Sequence, residues 1–386
     1  VMISSDARFD PEQWHRQHKL VILINNGIHP GEPDGIDASM MLVRDIIQKK
    51  VTLPANIALA FIPVYNIGGC LNRNAYTRAN QNGPLEYGFR GNAQNLDLNR
   101  DFTKADSKNA ASFAAIFHYL NPDIFVDNHV SDGADYQHTM TLITTQYNKQ
   151  GTTLGKFVKE VFEPKLYSNM AAKGWEMIPY VDFGATDFSK GMTMFMDPPR
   201  YSTGYAALFN TISFMPETHM LKPYKQRVQS TYDLMKTFME EGSKNAAALI
   251  AQRAASQKEW MNKTAYPLKW KADRTVSSEI VFKGYEADSA QSEATGLSKL
   301  FYNHSKPFTR NIKFYNGFAE DALVNKPKAY IIPAGWWAVV DRLKSNKVQL
   351  RQLQKDTVIN VTSYLISEYK SSPNPYEKHH RNYGVK

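Results

Sequence analysis

His29 and Glu32 stand three residues apart in the turn HPGE, directly after an apolar run. An imidazole and a carboxylate are good ligands for zinc, a metal of borderline softness. His129 follows a second apolar run, in FVDNHVSDG. Two strand ends that each offer a histidine, one with a nearby glutamate, supply the two-histidine, one-carboxylate set of a catalytic zinc site with one position left open. Asp97 and Asp127 are carboxylates that could orient a ligand imidazole. Either could equally cap a turn. Glu217, at the end of ISFMPET, could take a proton from activated water and return it to a leaving group.

These groups need elements to carry them. LVILINNGI over 20–28 begins as the apolar run expected of a parallel strand covered on both faces and ends in polar turn residues. The spacing of Met40, Met41, Val43, Ile46 and Ile47 predicts a helix over 36–50. IALAFIPVYNIGG and PDIFVDNHVSDG each read as a strand running into a loop, TMTLITT and NTISFMPET as further strands, and 107–120 and 151–171 as helices. The stretch from Tyr224 to Glu259 reads as one or two helices. Residues 71–106, rich in Asn, Gly and Arg, form a loop long enough to be functional. The alternation predicts an α/β fold with a mixed, largely parallel sheet and helices on both faces. Polar residues cluster past strand C-termini, where open α/β sheets place their sites.

After about residue 265 the pattern changes to short strand-like pieces: YPLKW, EIVFKGYE, NIKFYN, KAYIIPA, WWAVVDRL and INVTSYLI, with a helix at 339–343. This predicts a catalytic region over 1–260 followed by a smaller β-rich region over 261–386.

HPGE, NLDLNRDF, FVDNHVSDG and MPETH, in that order, resemble the zinc carboxypeptidases of the M14 peptidase class over about residues 15–240. The resemblance implies one Zn2+ ion on His29, Glu32 and His129, with Asp97 hydrogen-bonded to His29. It implies that Asn99 and Arg100 grip a substrate's free terminal carboxylate, and that Glu217 is the general base and then the acid. A family arginine that stabilises the oxyanion falls on Arg90, with Arg73 and Arg78 as rivals. A family tyrosine falls on Tyr201 or Tyr205, with Tyr205 preferred. The interval from His129 to Glu217 is longer than in the family's digestive enzymes, so no residue that reads the terminal side chain is carried over. The expected activity is removal of a C-terminal residue from peptides. The alternatives are zinc-dependent hydrolysis of N-acyl amino acids or cell-wall peptides, and a non-catalytic peptide- or glycan-binding module. The family also implies a secreted or periplasmic protein and a domain that begins upstream of Val1, although no leader is visible.

With 42 % hydrophobic and 22 % charged residues, the 386-residue chain has the composition of a globular protein rather than a disordered one. The net charge of +9 is spread along the chain, and no zinc-finger spacing, RNA-recognition motif or arginine stripe accompanies it. A solvated basic surface is therefore expected rather than a nucleic-acid partner. Cys70 is the single cysteine, which excludes an intrachain disulfide. No apolar run approaches the roughly 18 residues that a membrane span needs. Oligomeric state is not legible. His219 is expected to be structural, and His379 and His380 to belong to an exposed tail.

Overall fold

The computed structural model describes residues 1–181 and 188–386. In chain order the first elements are β1 (Met2–Ser4), α1 (Pro11–Arg16), β2 (Leu20–Asn26), α2 (Asp34–Ile47), β3 (Ile57–Ile62) and α3 (Ile67–Leu71). A long irregular segment follows, interrupted by one 3-10 turn at Leu98–Arg100. Next come α4 (Lys108–Leu120), β4 (Ile124–Ser131), β5 (Met140–Thr144), α5 (Gly151–Phe157), α6 (Glu163–Ala172), β6 (Ile178–Pro179), β7 (Met192–Thr193), α7 (Ser202–Ala207), β8 (Ile212–His219) and α8 (Tyr224–Asn262). The C-terminal part contributes β9 (Ala265–Ala272), β10 (Ser278–Gln291), β11 (Ser298–Tyr315), β12 (Phe318–Asn325) and α9 (Trp337–Ser345).

Seven strands form the central sheet in the order β1-β3-β2-β4-β8-β5-β6. β3, β2, β4 and β8 are mutually parallel. β1 runs antiparallel to β3, and β5 antiparallel to β8. Every residue of β2 and β4 is buried, as a strand covered on both faces requires. Leu20, Ile22 and Ile24 meet Leu234, Met235 and Phe238 of α8 in one core cluster. On the other face, Val21 and Leu23 join Trp14, Phe113, Phe117 and Tyr205. The α/β fold, with its largely parallel sheet and helices on both faces, is thus as the sequence predicts. Among the described residues, no helix is long and apolar enough to cross a membrane.

The C-terminal part is β-rich, but its hairpin is built into the main core. β10 and β11 pair antiparallel, and β11 adds in parallel to β7. Phe282, Ile312, Phe314 and Phe318 belong to the same cluster as Met192, Met194 and Tyr136. β9 and β12 form a separate two-stranded ribbon. Two expected strands are absent: KAYIIPA and INVTSYLI are not strands, and Val361, Tyr364 and Leu365 are strongly exposed. WWAVVDRL lies mostly in the helix α9, which contains the helix expected at 339–343, rather than in a strand. The β-branched and aromatic residues of KAYIIPA and INVTSYLI fit a strand, but a strand also needs a neighbour to bond, and neither segment pairs with a strand among the described residues.

Candidate active site

The site forms where β2, β4 and β8 end. After β2, Gly27 takes a positive φ of 66° that turns the chain and delivers His29. Glu32 follows in a turn closed by its own N–H on the His29 carbonyl at 2.9 Å. The start of α2 then lies so close to the strands that a Cβ on Gly35 would sit 2.4 Å from Asn128 Cβ, which only glycine avoids.

β4 and β8 are adjacent and parallel, and their register pairs His129 with Glu217. Paired residues of neighbouring strands project to the same face, with the strands about 4.8 Å apart. Alternation along β4 then puts Asp127 on the face of His129.

Both imidazoles are held the same way. His29 Nε2 lies 2.9 Å from Asp97 Oδ1, and His129 Nε2 lies 3.0 Å from Asp127 Oδ2. An N–H directed at a carboxylate fixes the tautomer and leaves Nδ1 to act as ligand. The Nδ1 atoms of His29 and His129 meet the two oxygens of Glu32 at 3.1 and 3.0 Å. One ligand atom from each of the three residues lies within 4.8 Å of the others, and all three residues are buried. Two imidazoles and a carboxylate converging on one point, each backed by a carboxylate or backbone donor, fit a single zinc ion. Burial alone would raise Glu32, but His29, Arg78 and His129 hold its carboxyl well below the usual range. Burial alone would lower His129, yet Asp127 and Glu32 raise it well above an ordinary histidine.

Glu217 lines the same cavity, which has a volume of about 950 Å³. Among the described residues, none donates a hydrogen bond to its carboxylate. Burial pushes its pKa up to about 8, and Glu32 adds to the rise, against the pull of His129, Arg78 and Arg90. A raised carboxyl beside a ligand cluster is suited to moving protons near neutral pH.

Three arginines also line the cavity. Arg90 donates to Asp97 Oδ2 at 2.8 Å and lies 3.6 Å from Glu32 Oε1. Arg78 donates to Glu32 Oε1 at 3.0 Å and to the Val130 carbonyl at 2.9 Å. Arg78 and Arg90 therefore both reach the site, whereas Arg73 bonds the Glu86 carbonyl and lies outside the cavity. Asp97 caps the 3-10 turn by accepting the Asn99 N–H at 2.9 Å, and so sets the turn that carries Asn99 and Arg100. Asn99 Oδ1 accepts the Ser202 N–H at 3.1 Å. The guanidinium of Arg100 lies 4.1 Å over the ring of Tyr201.

Tyr205 is not in the cavity. It sits one helical turn beyond Tyr201, buried against Phe113 and Phe117, and donates to Asn346 Oδ1 at 2.7 Å. Tyr201 lines the cavity instead. Several site residues were not singled out in the sequence. Ser202 bonds Asp127 at 2.5 Å, and Asn25 bonds it at 3.0 Å. Tyr376 and Glu377 of the distant C-terminus reach Arg100 and Asp97. Single Ser, Asn, Tyr and Glu residues carry no signal that links them to a site far along the chain.

No family model matches the chain, and no curated protein matches it. Solved structures similar to it include three metallocarboxypeptidases. One is from Pseudomonas aeruginosa, in complex with (2-guanidinoethylmercapto)succinic acid: it is 14 % identical, with 61 % of this chain and 58 % of that chain covered and a TM-score of 0.43. The enzyme from Burkholderia cenocepacia is 13 % identical, with 58 % of each chain covered and a TM-score of 0.43. Carboxypeptidase A from Helicoverpa armigera is 15 % identical, with 64 % of this chain and 68 % of that chain covered and a TM-score of 0.43. The chain thus spans less than two thirds of the length of the two bacterial enzymes. None of these likenesses carries the chemistry; the side-chain geometry does.

Proposed function

We propose that the protein is a zinc-dependent metallocarboxypeptidase that hydrolyses the last amide bond of peptides bearing a free C-terminal carboxylate. The observation that carries this reading is the convergence of both histidine Nδ1 atoms on Glu32, with Glu217 beside them on the next strand. A zinc ion held by His29, Glu32 and His129 would supply Lewis acidity to the scissile carbonyl and acidify water. Asn99 and Arg100 bind the terminal carboxylate, for which a planar guanidinium fork is well shaped. Glu217 takes a proton from the attacking water onto its carboxylate and gives it to the departing amine. Arg90 donates to the oxygen that gains negative charge, and Arg78 stands in reach of the same region. Water thus adds across the C–N bond, leaving a shortened acid and a free amino acid.

A peptide panel with free, amidated and D-residue ends, with N-acyl amino acids as a further arm, tests this by product mass. We expect loss of one residue from free L-ends and none from amidated ends. Equal cleavage of amidated peptides would remove Asn99 and Arg100 from their role. Cleavage of N-acyl amino acids alone would replace the peptide substrate by the smaller one.

A further inference from the structure

The C-terminal segment reaches the cavity wall at a specific place. Tyr376 Oη accepts the Arg100 Nε–H at 3.1 Å. Glu377 Oε2 accepts the backbone N–H of Asp97 at 2.9 Å. His379 Nε2 lies 2.6 Å from Asp106 Oδ2, further along the same loop. The guanidinium of Arg200 lies 5.5 Å over the Tyr376 ring.

These contacts come from a tight turn. Tyr376 and His379 exchange both backbone hydrogen bonds, at 2.9 and 3.1 Å. The two residues between them, Glu377 and Lys378, have φ of +49° and +64°. Two consecutive positive φ values mark a two-residue hairpin turn, a place usually taken by Asn-Gly or Asp-Gly. Residues with long side chains are disfavoured there, and such strain persists where surrounding contacts over-determine it. Here those contacts are the bonds to Asp97, Arg100 and Asp106.

Arg100 shows what the turn achieves. Its Nη1 donates to the Asn99 carbonyl at 2.9 Å, its Nε to Tyr376, and its face lies on Tyr201. Nη2 is left without a protein acceptor among the described residues, on a side chain that lines the cavity. Asp97, held by Glu377, in turn orients both His29 and Arg90.

We infer that residues 376–379 clasp the 97–100 segment and set Arg100 for a substrate carboxylate, with Tyr376 and Glu377 as positioning residues. The role given to Arg100 rests on the proposed function; the clasp does not. The test uses the full chain with zinc and the variants Tyr376→Phe, Glu377→Ala and Glu377→Gln. Amide hydrogen exchange at Asp97 reads the clasp without any turnover. Glu377→Ala is expected to speed that exchange, while Glu377→Gln keeps it near wild type because its carbonyl can accept the same bond. Tyr376→Phe is expected to raise KM for a free-carboxylate peptide about fivefold with kcat held, as loss of one positioning hydrogen bond does. Unchanged exchange in Glu377→Ala, or a fall in kcat with KM unmoved in Tyr376→Phe, overturns the clasp. If the wild-type chain cleaves no peptide, the proposed function falls and the exchange at Asp97 alone decides the clasp.

Discussion

Asp97 links a ligand histidine to an arginine of the cavity and to the turn that carries Arg100. One oxygen serves His29 and the Asn99 N–H, and the other serves Arg90. Burial alone would raise its carboxyl, but His29, Arg90 and Arg100 hold it far below the usual range. An Asp97→Asn protein keeps an oxygen for the imidazole but loses the charge that makes His29 a stronger ligand. Its zinc affinity should fall by about tenfold, the lower end for partners of metal ligands. Competition against a chelator measures this, and wild-type affinity would mean that Asp97 does not tune His29. Glu217 sets a second prediction. A general base works deprotonated, so kcat/KM should rise with pH through its pKa. Without a cation that pKa is about 8. A bound cation favours the carboxylate, so the acid limb should lie below 8. Glu217→Gln should keep its zinc and lose nearly all turnover. A limb at or above 8 would show that no cation acts on this carboxyl.

Among the elements, what the sequence revealed depends on whether the information is local. The helix at 107–120 and the turn NLDLNR are local, since periodicity and an Asp cap suffice to read them. The pairing of His129 with Glu217 is not local, because register between strands so far apart is fixed by packing. The same limit explains the tyrosines: Tyr201 caps a short helix and Tyr205 lies one turn further inside it, and which of them meets the cavity depends on the helix's neighbours. It also explains the clasp, which joins residue 97 to residue 377. His219, expected to be structural, ends β8 with both ring nitrogens occupied. Nε2–H donates to the Ala134 carbonyl at 2.8 Å, and Nδ1 accepts the Leu221 N–H at 3.3 Å. A proton on Nδ1 would face that N–H. Burial first, and Lys222 after it, push the ring down to about 4 against the pull of Asp135. The folded pKa lies below the unfolded one, so the unfolded chain takes the proton first as pH drops. Stability should therefore be full above 6.5 and fall between 6.5 and about 4. The difference in pKa corresponds to about 3 kcal/mol across that window. Urea unfolding at pH 7 and pH 4.5 measures the loss, which His219→Gln should reduce. An identical loss in the variant would assign the pH dependence to other groups.

At the scale of the whole molecule, the β-rich region is tied to the wall of the cavity. Phe314 pairs with Met192, and the Met194 N–H donates to the Tyr315 carbonyl at 2.9 Å. The next residue, Phe195, lines the cavity. Phe282, Phe314 and Ile312 are each no more than 4 % exposed, and they close the same cluster that holds the β8 residue Phe214. A hairpin that completes a core in this way should unfold together with the rest of the molecule. Tryptophan fluorescence reports on both regions, through buried Trp14 and through Trp270 in β9, while far-ultraviolet circular dichroism is dominated by the helices. The two signals should give one coincident unfolding transition in denaturant. Phe314→Ala should lower the stability of the whole chain by about 3–5 kcal/mol, as truncating a buried phenylalanine does, and shift both signals together. Two separated transitions, or a Phe314→Ala effect confined to one signal, would make 261–386 an independent unit. With one transition, the cavity wall at Phe195 and the hairpin behind it form a single cooperative structure. Substitutions at the β7–β11 seam should then weaken substrate binding as well as the fold.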